Sequence, residues 1–388
     1  METSGSYFEH VKRSPWYREL YRGIDRAEDA PPLDKDTLLR ILAAHFDPAA
    51  ETEGVYLVRS GGSTRKPLVF PVDIRENLQQ RDILAAHLRQ EGIIKPGTVG
   101  MNLFTYGLMY RTASILDDLL ERCSATSLPL SAEAKNADVY EAIRQFRPGM
   151  LMGSPSRLAL LARYLQENKL RAEVPDLLFG GEFMLPSYEK IFINEFKTLN
   201  IYGLYGSAES GIWAWSHYSK EPGLYRVIDP VQIEIGDADA EGFGQILITN
   251  LLRKRFPVFR YKLGDIGRLV YRNDRRYLEL RSRENKSFFI DSSNMYLDDF
   301  REITDGTEAF QLQLLRSEDL KHIVRLLLVK PLAEAEKEAF EECCLQQMRA
   351  LMHLSPSLVR TEVKLCTTAD LYMNPVTSKI PQLVDLRD

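Results

Sequence analysis

Cysteine is scarce: the 388 residues hold four, Cys123, Cys343, Cys344 and Cys366. None forms a C-x-x-C pair and the adjacent two cannot close an ordinary structural disulfide, so reduced thiols in a cytoplasmic protein are expected. The six histidines are scattered without metal-ligand spacing, which excludes a structural zinc site. No apolar run approaches ~20 residues, which argues against a membrane-spanning helix. Residues 1–13 are polar and lack the apolar stretch of a secretory signal. The net charge of −5 leaves no broad basic footprint for nucleic acid, and Arg253-Lys254-Arg255 is a local run. There is no internal repeat, no low-complexity tract and no G-x-x-x-x-G-K-[ST] phosphate loop.

What is present is apolar material, 44% of the chain, enough for a large core divided between more than one domain. The first fifty residues read as helical and aromatic-rich, with a break at Ala30-Pro31-Pro32. Strand-like runs at 55–59 and 67–72 flank a glycine turn. Strand patterns at 98–104, 124–130, 149–152 and 177–179 then alternate with helical patterns at 108–120, 137–146, 155–166 and 186–196. That alternation predicts a mainly parallel sheet covered on both faces. Short strands joined by turns follow from about 222, the mark of a β-rich subdomain. Beyond residue 286, Phe310, Leu312 and Leu314 alternate with Gln311 and Gln313 as in a half-buried strand; a strand at 323–329, a helix at 332–351 and a strand at 358–365 complete a βαβ-type module. The fold class expected is α/β: a large N-terminal domain, 1–283, of mainly parallel sheet with helices plus a β-rich subdomain at about 222–283, and a small α+β C-terminal domain, 284–388.

Four segments carry chemistry. In Ser60-Gly61-Gly62-Ser63-Thr64-Arg65-Lys66, small residues let several N–H groups face one anion, hydroxyls add donors and a lysine adds charge, which suits a triphosphate. Tyr202-Gly203-Leu204-Tyr205-Gly206-Ser207-Ala208-Glu209 sets an aromatic, a glycine and a carboxylate where they could stack a base and hold a metal ion. Arg260-Tyr261-Lys262-Leu263-Gly264-Asp265 ends on an aspartate able to accept two ribose hydroxyls, and Thr377-Ser378-Lys379-Ile380 offers a lysine near the C-terminus. Taken singly, the first three are ordinary turns and Lys379 is a solvated side chain.

Together, in this order and spacing, they resemble the adenylate-forming superfamily of acyl-CoA synthetases, adenylation domains and luciferases, and within it the phenylacetate-CoA ligase-like branch. Ser60 to Pro67 is similar to the S-G-G-T-T-G-K-P loop, Phe104-Thr105-Tyr106-Gly107-Leu108 to the Y-G-L segment at the acyl pocket, and Gly153-Ser154-Pro155-Ser156 to the T-P-S turn. Gly180-Gly181-Glu182, Tyr205 to Glu209 and Arg260 to Asp265 match G-G-E, Y-G-[ST]-[TAS]-E and R-Y-[RK]-[TL]-G-D; Ser378-Lys379 stands for the terminal G-K. The resemblance covers residues from about 50 to 388.

It implies ATP and Mg²⁺ as cofactors, with CoA as the simplest acceptor. Ser60, Gly61, Gly62, Ser63, Thr64 and Lys66 would hold the β- and γ-phosphates, and Tyr205 would stack on adenine in a pocket lined by Gly181 and Glu182, beside Gly206 and Ser207. Glu209 would bind Mg²⁺, and Asp265 and Arg283 the ribose. Lys379 would reach the carboxylate and α-phosphate from a small, mobile C-terminal domain. Tyr106, Gly107 and Trp213 would line an acyl pocket, with Phe183 and Trp215 near it; for Trp213 and Trp215 core packing is the competing reading. Three departures, Arg65, Asn285 and Ser378, bear on the phosphate loop, the hinge and the lysine loop, the last two touching thioester formation more than adenylation. The expected reaction is activation of a carboxylic acid, aromatic by its surroundings, to acyl-AMP with pyrophosphate release, then transfer to CoA or another thiol. An alternative is adenylation alone, with the adenylate passed to a reductase or another acceptor in an aromatic secondary-metabolite pathway of the antibiotic or phenazine kind. A degenerate nucleotide-binding protein is a third reading, opposed by Lys66, Glu209, Asp265 and Lys379. The branch implies a homodimer, and neither nucleic acid nor membrane is an expected partner.

Overall fold

The computed structural model describes the chain except residues 1–3, 48–49, 51–52, 60–68, 108, 185, 273–274, 284–286, 291–292, 353–357, 374–379 and 388. The elements before the sheet are α1 (Ser4–Arg13), α2 (Lys35–His45), the antiparallel pair β1 (Val55–Arg59) and β2 (Val69–Asp73), and α3 (Ile74–Gln90). Asp73 ends β2 and caps α3, accepting from the N–H groups of Arg75 and Glu76, so strand and helix share one rigid corner.

Then strand and helix alternate: β3 (Val99–Asn102), α4 (Thr112–Arg122), β4 (Thr126–Pro129), α5 (Asn136–Phe146), β5 (Met150–Gly153), α6 (Pro155–Glu167), β6 (Asp176–Gly180), α7 (Pro186–Phe196) and β7 (Asn200–Ser207). These strands are parallel in the order β7-β6-β5-β3-β4. Alternate residues of β5 explain why all four are buried. Met150 and Met152 join the core beneath α3 and α4, while Leu151 joins the one beneath α5, α6 and α7. Both faces are covered, as the alternation of patterns predicts.

The β-rich stretch is not a separate sheet. β8 (Gly211–Ser216), β9 (Leu224–Val227), β10 (Val231–Gly236), β11 (Gly244–Asn250), β12 (Val258–Arg272) and β13 (Arg275–Arg283) extend the same sheet, in the order β10-β11-β12-β13-β9-β8-β7. β12 runs unbroken through 15 residues where short strands joined by turns were expected, and its register slips against β11. Residues 7–46 pack behind it. Tyr7 and Tyr17 donate to the carbonyls of Arg253 and Pro257; Phe8 stacks on Phe259, and Trp16 packs on Phe256. Leu33 exchanges backbone hydrogen bonds with Arg260 and Lys262.

A separate core lies beyond: β14 (Ser287–Ile290) pairs with β15 (Ser293–Tyr296), α8 (Arg301–Thr304) follows, and β16 (Ala309–Arg316), β17 (His322–Val329), α9 (Glu334–Met352), β18 (Val359–Leu365) and β19 (Leu383–Asp385) form a sheet ordered β18-β17-β16-β19. The predicted βαβ unit is β17-α9-β18, parallel as expected. The half-buried reading of β16 is wrong, because Gln311 is fully buried and Gln313 nearly so. Gln311 donates to the carbonyls of Tyr372 and Pro381, both at 2.9 Å, and accepts from the Tyr372 N–H. Its amide thus holds both ends of the segment between residues 372 and 381. Among the described residues no helix is long and apolar enough to cross a membrane, and the four cysteines are unbridged.

This third core meets the one beneath α5, α6 and α7 at α7, where the Arg316 guanidinium lies 4.2 Å over the Tyr188 ring. His322, 2% exposed, has no hydrogen-bond partner on either ring nitrogen among the described residues. Burial, then Arg387 and Arg316, push its pKa down to about 3 against the pull of Asp385. The folded chain therefore refuses a proton that the unfolded chain accepts below about 6.5. The stability this represents is complete above that pH and is lost as the pH falls toward 3, by about 2 kcal/mol at pH 5. Urea midpoints at pH 7 and pH 5 should show this slope in the native protein and a shallower one in His322→Leu; equal slopes would refute the linkage.

Candidate active site

The carboxyl ends of the parallel strands gather the motifs. Phe104 follows β3, Ser154 to Ser156 follow β5, Gly180 and Gly181 close β6, and Tyr205 to Ser207 close β7. Because β3 lies between β4 and β5, the sheet changes winding direction there, and a crevice opens outside the strand ends. It is a cleft of about 210 Å³ lined by Gly180, Gly181, Tyr205 to Glu209, Tyr261 and Asp265 on one side and by Phe104, Tyr110, Ile115 and Ile212 on another.

The pieces are mutually fixed. Tyr205 donates its hydroxyl to Asp265 at 2.5 Å, and Trp213 braces the Tyr205 ring edge-on, centroids 4.9 Å apart. Asp265 is 3% exposed and Glu209 5%. Glu209 accepts from the Tyr261 hydroxyl at 3.1 Å, so the second motif is joined to the third twice. Ser207 and Ser210 share a hydrogen bond of 2.8 Å, and the Trp213 indole donates to Ser210. At Gly206 a Cβ would stand 2.1 Å from the carbonyl oxygen of Gly211, where the β7–β8 register slips.

Several expected site residues lie elsewhere. Trp213 is fully buried in the core behind Tyr205 and does not line the cleft; the packing alternative is right for it and for Trp215, which is 4% exposed beneath Arg226. Tyr106 is 68% exposed and outside the lining, as is Gly107, whose φ of 112° turns the chain so that Met109 and Tyr110 enter instead. Glu182 is also outside it: the carboxylate accepts from the Ser156 hydroxyl at 2.7 Å and its N–H at 3.1 Å, holding α6 against the turn after β6. Arg283 ends β13 directly opposite Asp265. The loop Ser60–Lys66, the side chain of Arg283, Asn285, Ser378 and Lys379 lie outside the described residues.

Sequence reasoning missed Tyr56, Asn77, Arg111 and Arg253, which also line the cleft. Arg253 is one residue of a basic run with surface-like composition, yet it is 1% exposed. Only the contact with Asn77, 2.9 Å, and the aromatic residues before position 50 betray its burial.

Among the described residues no three His, Cys, Asp or Glu side chains converge on a metal position. One buried carboxylate facing a cleft, as Glu209 is, fits a magnesium ion that arrives with nucleotide phosphates, since that ion takes few protein ligands.

No family model matches the chain. It is 30% identical over 203 residues to the indoleacetate–lysine synthetase of Pseudomonas savastanoi, covering 52% of this chain and 50% of that one. It is 25% identical over 297 residues to the phenylacetate-coenzyme A ligase of Pseudomonas putida, covering 70% and 65%. The chain thus spans between half and two thirds of these curated relatives. Among solved structures, a 2-hydroxyisobutyryl-CoA ligase in complex with 2-HIB-AMP and CoA superposes with a TM-score of 0.77 at 18% identity, over 99% of this chain and 88% of that one. The amide bond synthetase McbA from Marinactinospora thermotolerans gives 0.56 at 16% identity, over 84% and 67%. These relatives and the shared fold agree with the ordered motifs: the chain is similar to the adenylate-forming superfamily and, within it, to the phenylacetate-CoA ligase-like branch.

Proposed function

We propose that the protein activates a carboxylic acid with ATP, releasing pyrophosphate and forming an acyl-adenylate, and then hands the acyl group to a thiol, most simply CoA. The observation that carries this is the joining of Tyr205, Asp265, Tyr261 and Glu209 in one cleft at the strand ends. Asp265, already an acceptor for Tyr205, would accept ribose hydroxyls, and Tyr205 would stack on adenine beside Gly181. Glu209 would hold Mg²⁺, which neutralises phosphate charge as it develops. The acid needs no base, because a carboxylate is ionised at pH 7 and is itself the nucleophile. Lys66 and the Ser60–Thr64 loop serve the phosphates in this reading, Arg283 the ribose and Lys379 the α-phosphate. The segment 284–388 acts as the mobile domain that brings Lys379 in. Phe104, Tyr110 and Tyr56 replace Tyr106 and Trp213 as the aromatic support for an aromatic acid.

A second reading keeps adenylation and changes the acceptor to an amine. The relative at 30% identity favours it, since its name pairs an acid with lysine.

Pyrophosphate exchange across a panel of aryl and alkyl acids tests the first step, and product analysis with CoA or with amines separates the acceptors. No exchange with any acid would refute the proposal. Asp265→Ala should weaken ATP binding about 10–100-fold, the loss of one or two charge-assisted hydrogen bonds. Calorimetry showing unchanged affinity in a folded variant would remove Asp265 from the ribose.

A further inference from the structure

The turn that carries Glu209 is held from behind. From Leu204 to Ile212 each residue lines the cleft except Ser210, which is fully buried. The Ser210 carbonyl accepts from two side-chain amides, Nε2 of Gln80 and Nδ2 of Asn250, both at 3.0 Å. Gln80 Nε2 also donates to the Ile212 carbonyl at 2.8 Å, and its Oε1 accepts from Asn250 Nδ2 at 3.0 Å. Asn250 Oδ1 accepts from the Leu252 N–H at 3.1 Å. Gln80 is 1% exposed and Asn250 is fully buried, yet all four of their amide hydrogens and both their oxygens are engaged.

These amides reach the turn from distant parts of the chain. Gln80 lies on α3, 130 residues before Ser210, and Asn250 ends β11, 40 residues after it. The turn is pressed against them: Gly211 has a φ of 74°, and a Cβ there would stand 2.9 Å from Gln80 Nε2. The Ser210 side chain adds its own fastening, accepting from the Trp213 indole at 2.9 Å, while the Ser210 N–H donates to the Ser207 hydroxyl at 3.2 Å. Two buried carboxamides are costly unless every polar atom is paired. Once paired, they fix geometry, because hydrogen bonds are directional and an apolar pair of equal volume would leave the Ser210 and Ile212 peptide planes free to turn. Among the described residues the cleft lining includes neither amide, so both act on the site only through this turn.

We infer that Gln80 and Asn250 are positioning residues: through the Ser210 and Ile212 carbonyls they aim the Glu209 carboxylate at the place where it meets Mg²⁺ on the nucleotide phosphates. This rests on the proposed role of Glu209 and adds to it the groups that orient it. Removal of such orienting partners typically costs about 10–100-fold in metal affinity or activity.

The test is calorimetry of ATP with Mg²⁺ and with a chelator, whose ratio of affinities reads how far the metal helps the nucleotide to bind. Glu209→Gln should lower that ratio. Gln80→Met, close in volume but without donors, should lower it in the same direction, by about 10–100-fold at most. The double variant Gln80→Met/Glu209→Gln should be no lower than Glu209→Gln alone, since a residue acting through another adds nothing once that one is gone. Should Gln80→Met fail to fold, Asn250→Ser, which leaves room for a water among the same polar groups, reads the same ratio. Additive losses overturn the inference, as does a Gln80→Met protein that melts earlier but keeps the wild-type ratio, which would make the amides purely structural. A wild-type ratio in Glu209→Gln takes the metal away from Glu209 and overturns the inference with it. Pyrophosphate exchange that fails with every acid would refute adenylation alone, because the calorimetry uses no acid and still decides whether the amides aim Glu209.

Discussion

Gly206→Ala is expected to abolish ATP binding and adenylation, with activity falling by at least about 10²-fold, the usual result of a ~1 Å displacement in a catalytic constellation. The added Cβ would stand 2.1 Å from the oxygen and 2.9 Å from the carbon of the Gly211 carbonyl, and 2.7 Å from the Ile212 Cα. All three are backbone atoms, so no rotamer relieves the overlap, and overpacking of this kind costs on the order of 1–3 kcal/mol or more. The movement must fall between Tyr205 and Glu209, the two residues that reach Asp265 and Tyr261. Gly149→Ala is the matched control, because a Cβ there meets nothing within 4 Å. Thermal unfolding and ATP calorimetry on both variants provide the check. A Gly206→Ala protein that binds ATP as wild type does would show that the β7–β8 turn is not part of the nucleotide site.

Lys379→Ala is the second change with a large expected effect, and it separates the two half-reactions. If its cation meets charge building on the α-phosphate, removal should cut the adenylation rate by about 10²–10³ with little change in ATP affinity. Chemically made acyl-AMP should still be consumed in the presence of the acceptor, since that step begins after the phosphate chemistry is over. Gln311 supplies a companion. Its amide ties Tyr372 to Pro381, so Gln311→Leu releases both ends of the segment that includes Lys379. It should lower adenylation in the same direction as Lys379→Ala without touching the nucleotide cleft. Wild-type adenylation in Lys379→Ala would end the assignment of that lysine.

The parallel half of the sheet was legible because its strands are short apolar runs separated by helices with apolar stripes, such as Leu158, Leu161 and Leu165 on α6. Motif order then located the cleft, since loops after parallel strands collect at one edge. Sequence did not tell which way a side chain in a motif turns. Glu182 sits within a matching motif and Trp213 four residues beyond one, yet the first serves the α6 terminus and the second the core. Nor did it reveal strand partners far apart in the chain: β9 pairs with β13, and the β-rich stretch thereby continues the main sheet. Polar residues misled where the fold buries them. Gln311 looks like a solvent-facing strand position and Arg253 like a surface charge, and both are inside.

The aromatic residues between 7 and 21 have a consequence for how the protein is made. The partner of Tyr7 is 246 positions later, and that of Tyr17 is 240 later. At about 5–20 residues per second a ribosome needs roughly 12–50 s to cover such a gap. Throughout that time Tyr7, Phe8, Trp16, Tyr17 and Tyr21 lack their partners at Arg253, Phe256, Pro257 and Phe259, and the nascent chain displays an aromatic cluster that meets only nearby rings such as Phe46 and Phe70. Closing so long a loop is also slow after release. The yield of active protein should therefore depend on chaperones that shield the leading segment, and a chain synthesised without them should aggregate through those rings before its cleft exists.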